Sequence, residues 1–350
     1  MRFVLFLLVL VISATAMADS LLGLPVLSIP DDNPQTEAKI ALGRQLFNDK
    51  RLSADGAISC ASCHQADKAF SDGLPLAKGI NGQLGTRNTP AVQNAAYYQS
   101  QFLDGRAASL EQQALGPLLN PIEHGLKDPQ AIIDILQNEP DYSAAFSRVF
   151  AIQSGELTVM HVQKAIASFE RTLISGNSAF DRYHFAMEQT AISAGAVRGS
   201  RIFRRKGNCL TCHEISMKTA LFTDNRFYNI GVGMRNIKPV IEAWKQAVRQ
   251  HQPPDTSSWS DAQRAELGRY SVTGRLEDIG KFKTPILRNV ALTAPYMHDG
   301  SLQTLEQVID HYDKGGEGNE FVDAKIFPLH LTEQEKSDLV EFLKSLTSLD

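Results

Sequence analysis

The sequence predicts a mainly α protein built from two tandem domains of one kind. Three observations carry this. Cys-x-x-Cys-His occurs twice, at Cys60-Ala61-Ser62-Cys63-His64 and at Cys209-Leu210-Thr211-Cys212-His213. A similar phrase precedes each copy, EAKIALGRQLFN over 37–48 and AVRGSRIF over 196–203. Both read as helix, Gly-Arg or Gly-Ser, two residues, Phe, loop, motif, which marks an internal repeat. No convincing run alternates as a strand does.

Cys-x-x-Cys-His is the attachment site of a c-type haem. The two thiols add to the two haem vinyl groups, and the next residue delivers an imidazole beneath the iron. A redox-active Cys-x-x-Cys or half of a zinc site is the bland alternative. Doubling weighs against both, because each copy ends in His and the chain's 4 cysteines are all used. A small c-type cytochrome domain begins with this helix, loop and motif. The fold class is therefore two tandem c-type cytochrome domains, each with one covalently bound haem c.

The N-terminus reads as an export signal. Met1-Arg2 is the short positive region, Phe3 to Ile12 the apolar run, and Ala16-Met17-Ala18 the cleavage pattern. Residues 1–18 are thus a signal peptide. The mature chain is expected in a bacterial periplasm, off the membrane, where c-type haems are attached. The formal charge of −4 gives no indication of nucleic-acid binding. Arg198, Arg201, Arg204, Arg205 and Lys206 read first as a solvated helix face, and second as a docking patch for an acidic electron-transfer partner.

Along the chain, Ile40, Leu42, Leu46 and Phe47 give the first helix its apolar side. Residues 70–94 read as ordered loop. Ser109-Leu110-Glu111-Gln112 looks like a capping box, Asp128-Pro129 caps another helix, and 158–173 is a longer one. The domain boundary falls near 190–195, giving domains over 19–190 and 191–350. Residues 240–269 read as helical, broken at Pro253-Pro254, without a functional reading. A helix over 304–312 ends at Gly315-Gly316. Thr332 to Glu335 is a second capping box opening the last helix, which packs either on its own domain or back on the first.

Along nearly its whole mature length the chain resembles the bacterial dihaem cytochrome c peroxidases and their MauG-like relatives. The phrases carrying the resemblance include LGRQLFNDKRLS, TRNTPAVQN, FLDGRAASLEQQALGPLLNPIE, ASFERTLISGNSAFDRY, FTDNRFYNIGVG and KTPILRNVALTAPYMHDGSLQTLEQVIDHYDKGG. The resemblance implies a peroxidatic haem on His64, an electron-transfer haem on His213, and a calcium ion held by Asn88, Thr293 and Pro295.

It also directs attention to the open faces of the two irons. Typical peroxidases place a distal His before the Arg87-Asn88-Thr89-Pro90 phrase; the matching position here is about Ile80, and no His lies between His64 and His124. Lys78 is the nearest candidate, and at an ordinary pKa it is protonated. An open or water-filled position is expected, so peroxide binds without prior release of a ligand. The resemblance gives Glu123 the acid/base role and Gln113 a helper role. His124 reads as a surface residue, a second proton relay or an iron ligand, in that order. On the second iron, where typical members have Met, the matching position is Tyr312, as in MauG-like enzymes; Met297 and His311 are fallbacks. Tyr312 also shares an apolar helix face with Leu305, Val308 and Ile309, and packing is compatible with ligation. Leu103 replaces the Trp that the family has between its haems.

The function expected is a periplasmic dihaem peroxidase. Hydrogen peroxide is the oxidant. The electrons come from a small cytochrome c, a copper protein or a protein substrate. The rival is a non-catalytic dihaem electron carrier or redox sensor.

Overall fold

A computed structural model describes residues 21–153, 155–250 and 255–348. The expected signal peptide lies outside the described residues. The first half is built on α1 (Glu37–Asn48), α2 (Cys60–Cys63), α3 (Leu110–Leu119), α4 (Pro129–Gln137), α5 (Pro140–Phe150) and α6 (Val159–Glu170). Helix α1 crosses α6, and Leu42, Leu46 and Phe47 join Val162, Ala165, Ile166 and Phe169 in one buried core. The second half repeats this with α8 (Ala194–Arg204), α12 (Leu305–Asp313) and α13 (Glu333–Lys344). Helix α8 crosses α13, burying Phe203 against Leu339, Phe342 and Leu343.

The two crossings share one device. A Cβ on Gly43 would run into the Ala165 carbonyl, and a Cβ on Gly199 into the Asp338 carbonyl. Only glycine allows backbones to approach so closely. The approach brings Phe47 to 6.2 Å from His64 and Phe203 to 6.3 Å from His213, between ring centroids.

The repeat extends further than the haem phrases. Thr89-Pro90 through Ser109-Leu110-Glu111-Gln112 matches Thr284-Pro285 through Thr304-Leu305-Glu306-Gln307 without a gap. The backbone repeats as well: Asn94 and Asn289, and Phe102 and Met297, are all left-handed. A bridge joins Gln101 to Ala107 in one half and Tyr296 to Leu302 in the other. Ser109 and Thr304 then cap α3 and α12 at equivalent places.

Several expectations need correction. Helix α7 (Ala179–Phe185), assigned by sequence to the first domain, packs in the second core. Phe180 is fully buried 5.4 Å from Phe342 and 5.5 Å from Phe222. Of the two packings left open for the last helix, the structure takes the one on α8, within its own half; Arg198 clasps Asp338 through two bonds of 2.6 and 2.7 Å. Residues 240–269 are helical in pieces, and the break expected at Pro253-Pro254 lies outside the described residues. Helix α9 (Met234–Arg249) starts earlier, and two short helices, α10 (Asp261–Ala265) and α11 (Tyr270–Thr273), follow. This insert has a small core of its own around Trp244, Trp259, Leu267 and Ile279. The Ser109 box is half formed: Ser109 caps Gln112 N, while the Gln112 side chain reaches Ala108 N. The described strands are the two-residue β1 (Phe227–Tyr228) and β2 (Phe282–Lys283), paired antiparallel and too short to show in a pattern.

Candidate functional site

One cavity of about 770 Å³ runs through the molecule and is lined by Cys63 and His64 at one end and by Cys209, Cys212 and His213 at the other. Cys60 and Cys63 sit on the single turn of α2, and Cys209 on an equivalent 3-10 turn. The four thiols form no disulfide.

Each imidazole is held in the same way. His64 Nδ1 donates to the Phe70 carbonyl at 3.0 Å, and His213 Nδ1 to the Phe222 carbonyl at 2.8 Å. Both phenylalanines are left-handed, with φ of 60° and 58°, which turns their carbonyls toward the rings. A carbonyl can only accept, so Nδ1 carries the proton and Nε2 keeps its lone pair for a metal. Burial holds both imidazoles below their usual pKa, in the neutral form a metal requires.

The walls fit a haem with its carboxylates. Arg87, Arg106, Arg264 and Lys283 all line the cavity. Arg87 is bound to Asp104 at 2.7 Å, yet its buried Nε has no partner among the described residues. The donor set, a thiol pair and one neutral imidazole at each end, matches covalently attached haem c.

On the His64 side, Glu123 and Gln113 line the cavity with Arg106, Asn120 and Pro117. Glu123 Oε1 accepts from Asn120 Nδ2 at 2.6 Å. Burial pushes the Glu123 carboxyl up, against an opposing pull from Arg106. A carboxyl so placed keeps a proton beyond the usual range and can still give it away.

Ile80 is buried against Gly125 and does not line the cavity. Lys78 lines it but is exposed, with its side chain folded along Gly82. His124 is not a surface residue. It is 3% exposed, lies outside the cavity lining, and its Nδ1 pairs with the Leu52 carbonyl at 2.6 Å. That position makes it a core residue, with its Nδ1 already engaged.

At the other end Tyr312 lines the cavity, and burial together with Cys209 and Cys212 raises its phenol. Its oxygen has no hydrogen-bond partner among the described residues. In the repeat, Tyr312 occupies the eighth position of α12 and Pro117 the eighth of α3. Both line the cavity, one with a phenol and one with a ring that has no ligating atom. Met297 also lines the cavity, whereas His311 lies outside the lining and its Nε2 donates to the Ile230 carbonyl at 2.9 Å.

Asn88, Thr293 and Pro295 all line the cavity. Asn88 Nδ2 donates to Leu74 O at 2.7 Å, leaving Oδ1 without a donor among the described residues. Next to it, His298 is bound to Glu266 at 2.7 Å and stacks on Phe282 at 3.7 Å. Leu103 lines the cavity.

Glu170 was missed. It ends α6, lines the cavity, and has one buried carboxylate oxygen with no partner among the described residues. Burial raises it to about 8. An acid beside a buried Arg171 reads in sequence as one more surface pair, so its unpartnered state had no signal there.

Two haem-attachment ends on one cavity, each inside a small helical domain, define a two-centre c-type cytochrome. Comparisons agree and go further. Residues 37–190 match the model of the di-haem cytochrome c peroxidase family. The chain is 37% identical to a cytochrome-c peroxidase, IdrP1, of Denitromonas iodatirespirans, over 93% of this chain and 85% of that protein. It is 37% identical to the methylamine utilization protein MauG of Methylorubrum extorquens, over 91% of this chain and 80% of that one. A crystal structure of a MauG-like protein associated with microbial copper homeostasis superposes with a TM-score of 0.77 at 31% identity, covering 95% of each chain. The chain belongs to the di-haem cytochrome c peroxidase and MauG family, whose members are oxidoreductases carrying two haem c groups.

Proposed function

We propose that the chain is a dihaem peroxidase of the MauG-like branch. It reduces hydrogen peroxide at the His64 end with two electrons that enter through the His213 end. The observation that carries this is Glu123, a carboxyl raised by burial and turned into the cavity with Asn120 on its Oε1. When bound, haem supplies the redox chemistry that breaks the O–O bond. Glu123 takes the proton from the near oxygen of peroxide and returns it to the far one, which leaves as water. Gln113 orients the peroxide, and Arg106 limits how far the acid rises. Pro117 offers no ligating atom and Lys78 is folded back along Gly82, so neither would bind an iron held by His64, and peroxide would need no prior release of a ligand.

In this reading Tyr312, with His213, would hold the iron of the second haem. Asn88, with the Thr293 and Pro295 carbonyls, holds a calcium ion, a hard cation suited to oxygen donors. Residues 1–18 direct export to the periplasm. Among the described residues no helix is long and apolar enough to cross a membrane. The reductant is a small cytochrome c, a copper protein or a side chain of a protein substrate. An anionic phenolate at Tyr312 favours high oxidation states and supports the last; Leu103 counts against it.

The test is the spectrum of the resting ferric protein with and without peroxide. One high-spin centre that reacts rapidly supports the enzyme. Two low-spin centres inert to peroxide would replace it with the electron carrier or redox sensor.

A further inference from the structure

Among the described residues that line the cavity, Tyr98 is an oxidisable side chain with contacts toward both ends. On the first side it packs on the cluster of Val92, Ala95, Leu110 and Ala167, which also carries Phe70. Val92 N donates to the Phe70 carbonyl at 3.2 Å, and that carbonyl holds His64. On the second side, the Tyr98 hydroxyl oxygen accepts from Ile286 N at 2.8 Å. Ile286 follows Pro285, whose backbone lies against the His213 ring. Tyr98 thus stands one short step from the groups that orient each iron-binding imidazole, and it lines the cavity itself.

Other side chains are less suited. The Tyr228 and Tyr296 hydroxyls bond within the second half, to Asp224 at 2.6 Å and to the Val290 carbonyl at 3.1 Å. Trp244 and Trp259 are in the core of the insert, away from the cavity lining. Leu103 crosses the same region, its carbonyl accepting from Lys283 N at 2.8 Å, but an alkyl chain cannot be oxidised at biological potentials. The repeat puts Thr293 at the place of Tyr98 in the other half, so the phenol is present once.

We propose that Tyr98 is a one-electron relay between the two haem sites. This rests on the peroxidase reading above for its oxidant, hydrogen peroxide. Tyr98 loses one electron toward the His64 end, and its phenolic O–H bond breaks, releasing the proton to cavity water. One electron from the His213 end and one returning proton restore the phenol. Tyr98 is unchanged after the cycle, and the net result is an electron moved from the second site to the first. Lys283 Nζ lies 3.6 Å from the ring centroid, anchored on the Ser100 carbonyl at 2.6 Å. Burial lowers Lys283 to about 7, so its charge beside the ring is partial at neutral pH, and to that extent it opposes positive charge accumulating on the ring.

The test follows both haem spectra after one equivalent of peroxide is mixed with the holoprotein. In Tyr98→Phe the response of the His64 site is expected to be unchanged, while the response of the His213 site slows by about tenfold or more. Tyr98→Trp, which restores an oxidisable ring, is expected to recover most of the rate. An unchanged second-site response in Tyr98→Phe would overturn the relay. A wild-type protein that ignores peroxide would overturn the peroxidase reading instead. In that event, a ruthenium photo-oxidant delivers the hole and the same comparison of variants decides for or against Tyr98.

Discussion

Asn120 Nδ2 lies 2.6 Å from Glu123 Oε1 and leaves the other carboxylate oxygen of Glu123 free to face the cavity. The acid is therefore fixed at one oxygen and available at the other. Burial raises it, so the protonated form persists to higher pH than for an ordinary glutamate. Glu123→Gln keeps the shape and removes the transferable proton. We expect haem content to stay normal and the peroxide reaction, followed by stopped-flow, to slow by roughly 10²–10⁴-fold. An unchanged rate would remove Glu123 from the mechanism.

Gly43 and Gly199 are predicted to be equivalent by the repeat and by the backbone carbonyl each would strike, Ala165 for one and Asp338 for the other. Adding one methyl at either forces the crossing helices apart, which costs about 1–3 kcal/mol in an overpacked site. Gly43→Ala and Gly199→Ala should each lower the denaturation midpoint. Gly43→Ala should disturb the His64 haem spectrum and Gly199→Ala the His213 spectrum, because Phe47 and Phe203 move with their helices. Variants as stable as the parent would show that the crossings tolerate a wider spacing.

Glu170 offers a pH signature with a definite sign. Its folded pKa, pushed up to about 8, lies above the ordinary glutamate value near 4.5. The stability it contributes is full below that ordinary value and is lost as pH rises toward 8, because the charged form is penalised only in the folded state. Glu170→Gln has no charge to bury. The parent should lose more stability between pH 5 and about pH 8 than the Gln variant does, measured by urea midpoints. Parallel curves for the two proteins would mean that Glu170 finds a partner when the haems are in place.

The haem ends were legible because attachment chemistry requires a fixed local spacing, and Cys60 to His64 and Cys209 to His213 satisfy it within five residues. The amphipathic helices were legible for the same reason of local periodicity. Phe180 was not: whether it joins the first or second core depends on Phe222 and Phe342, both distant in sequence. His124 was misjudged because its partner is the Leu52 carbonyl, a backbone contact that no side-chain pattern announces. The gap-free match of 89–112 with 284–307 could have been read from the sequence, and it would have paired Pro117 with Tyr312 at once.

That pairing sharpens the prediction for Tyr312. Left as a free phenol, Tyr312 is neutral, since burial and the Cys209 and Cys212 thiols raise its pKa. In the proposed reading a bound ferric ion would reverse this, because a metal's own charge would dominate the local proton balance and remove the phenolic proton. The resulting anionic oxygen stabilises the ferric state, whereas a thioether favours the ferrous state and raises the reduction potential. Tyr312→Met should therefore raise the potential of the His213 site and leave that of the His64 site nearly unchanged. Tyr312→Phe has no donor atom, and the second centre should become high-spin in the ferric protein. Both variants keep a large apolar side chain beside Leu305 and Ile309, so stability should change little. If potentiometry and ferric spectra of both variants match the parent, Tyr312 only packs, and Met297 becomes the ligand to test.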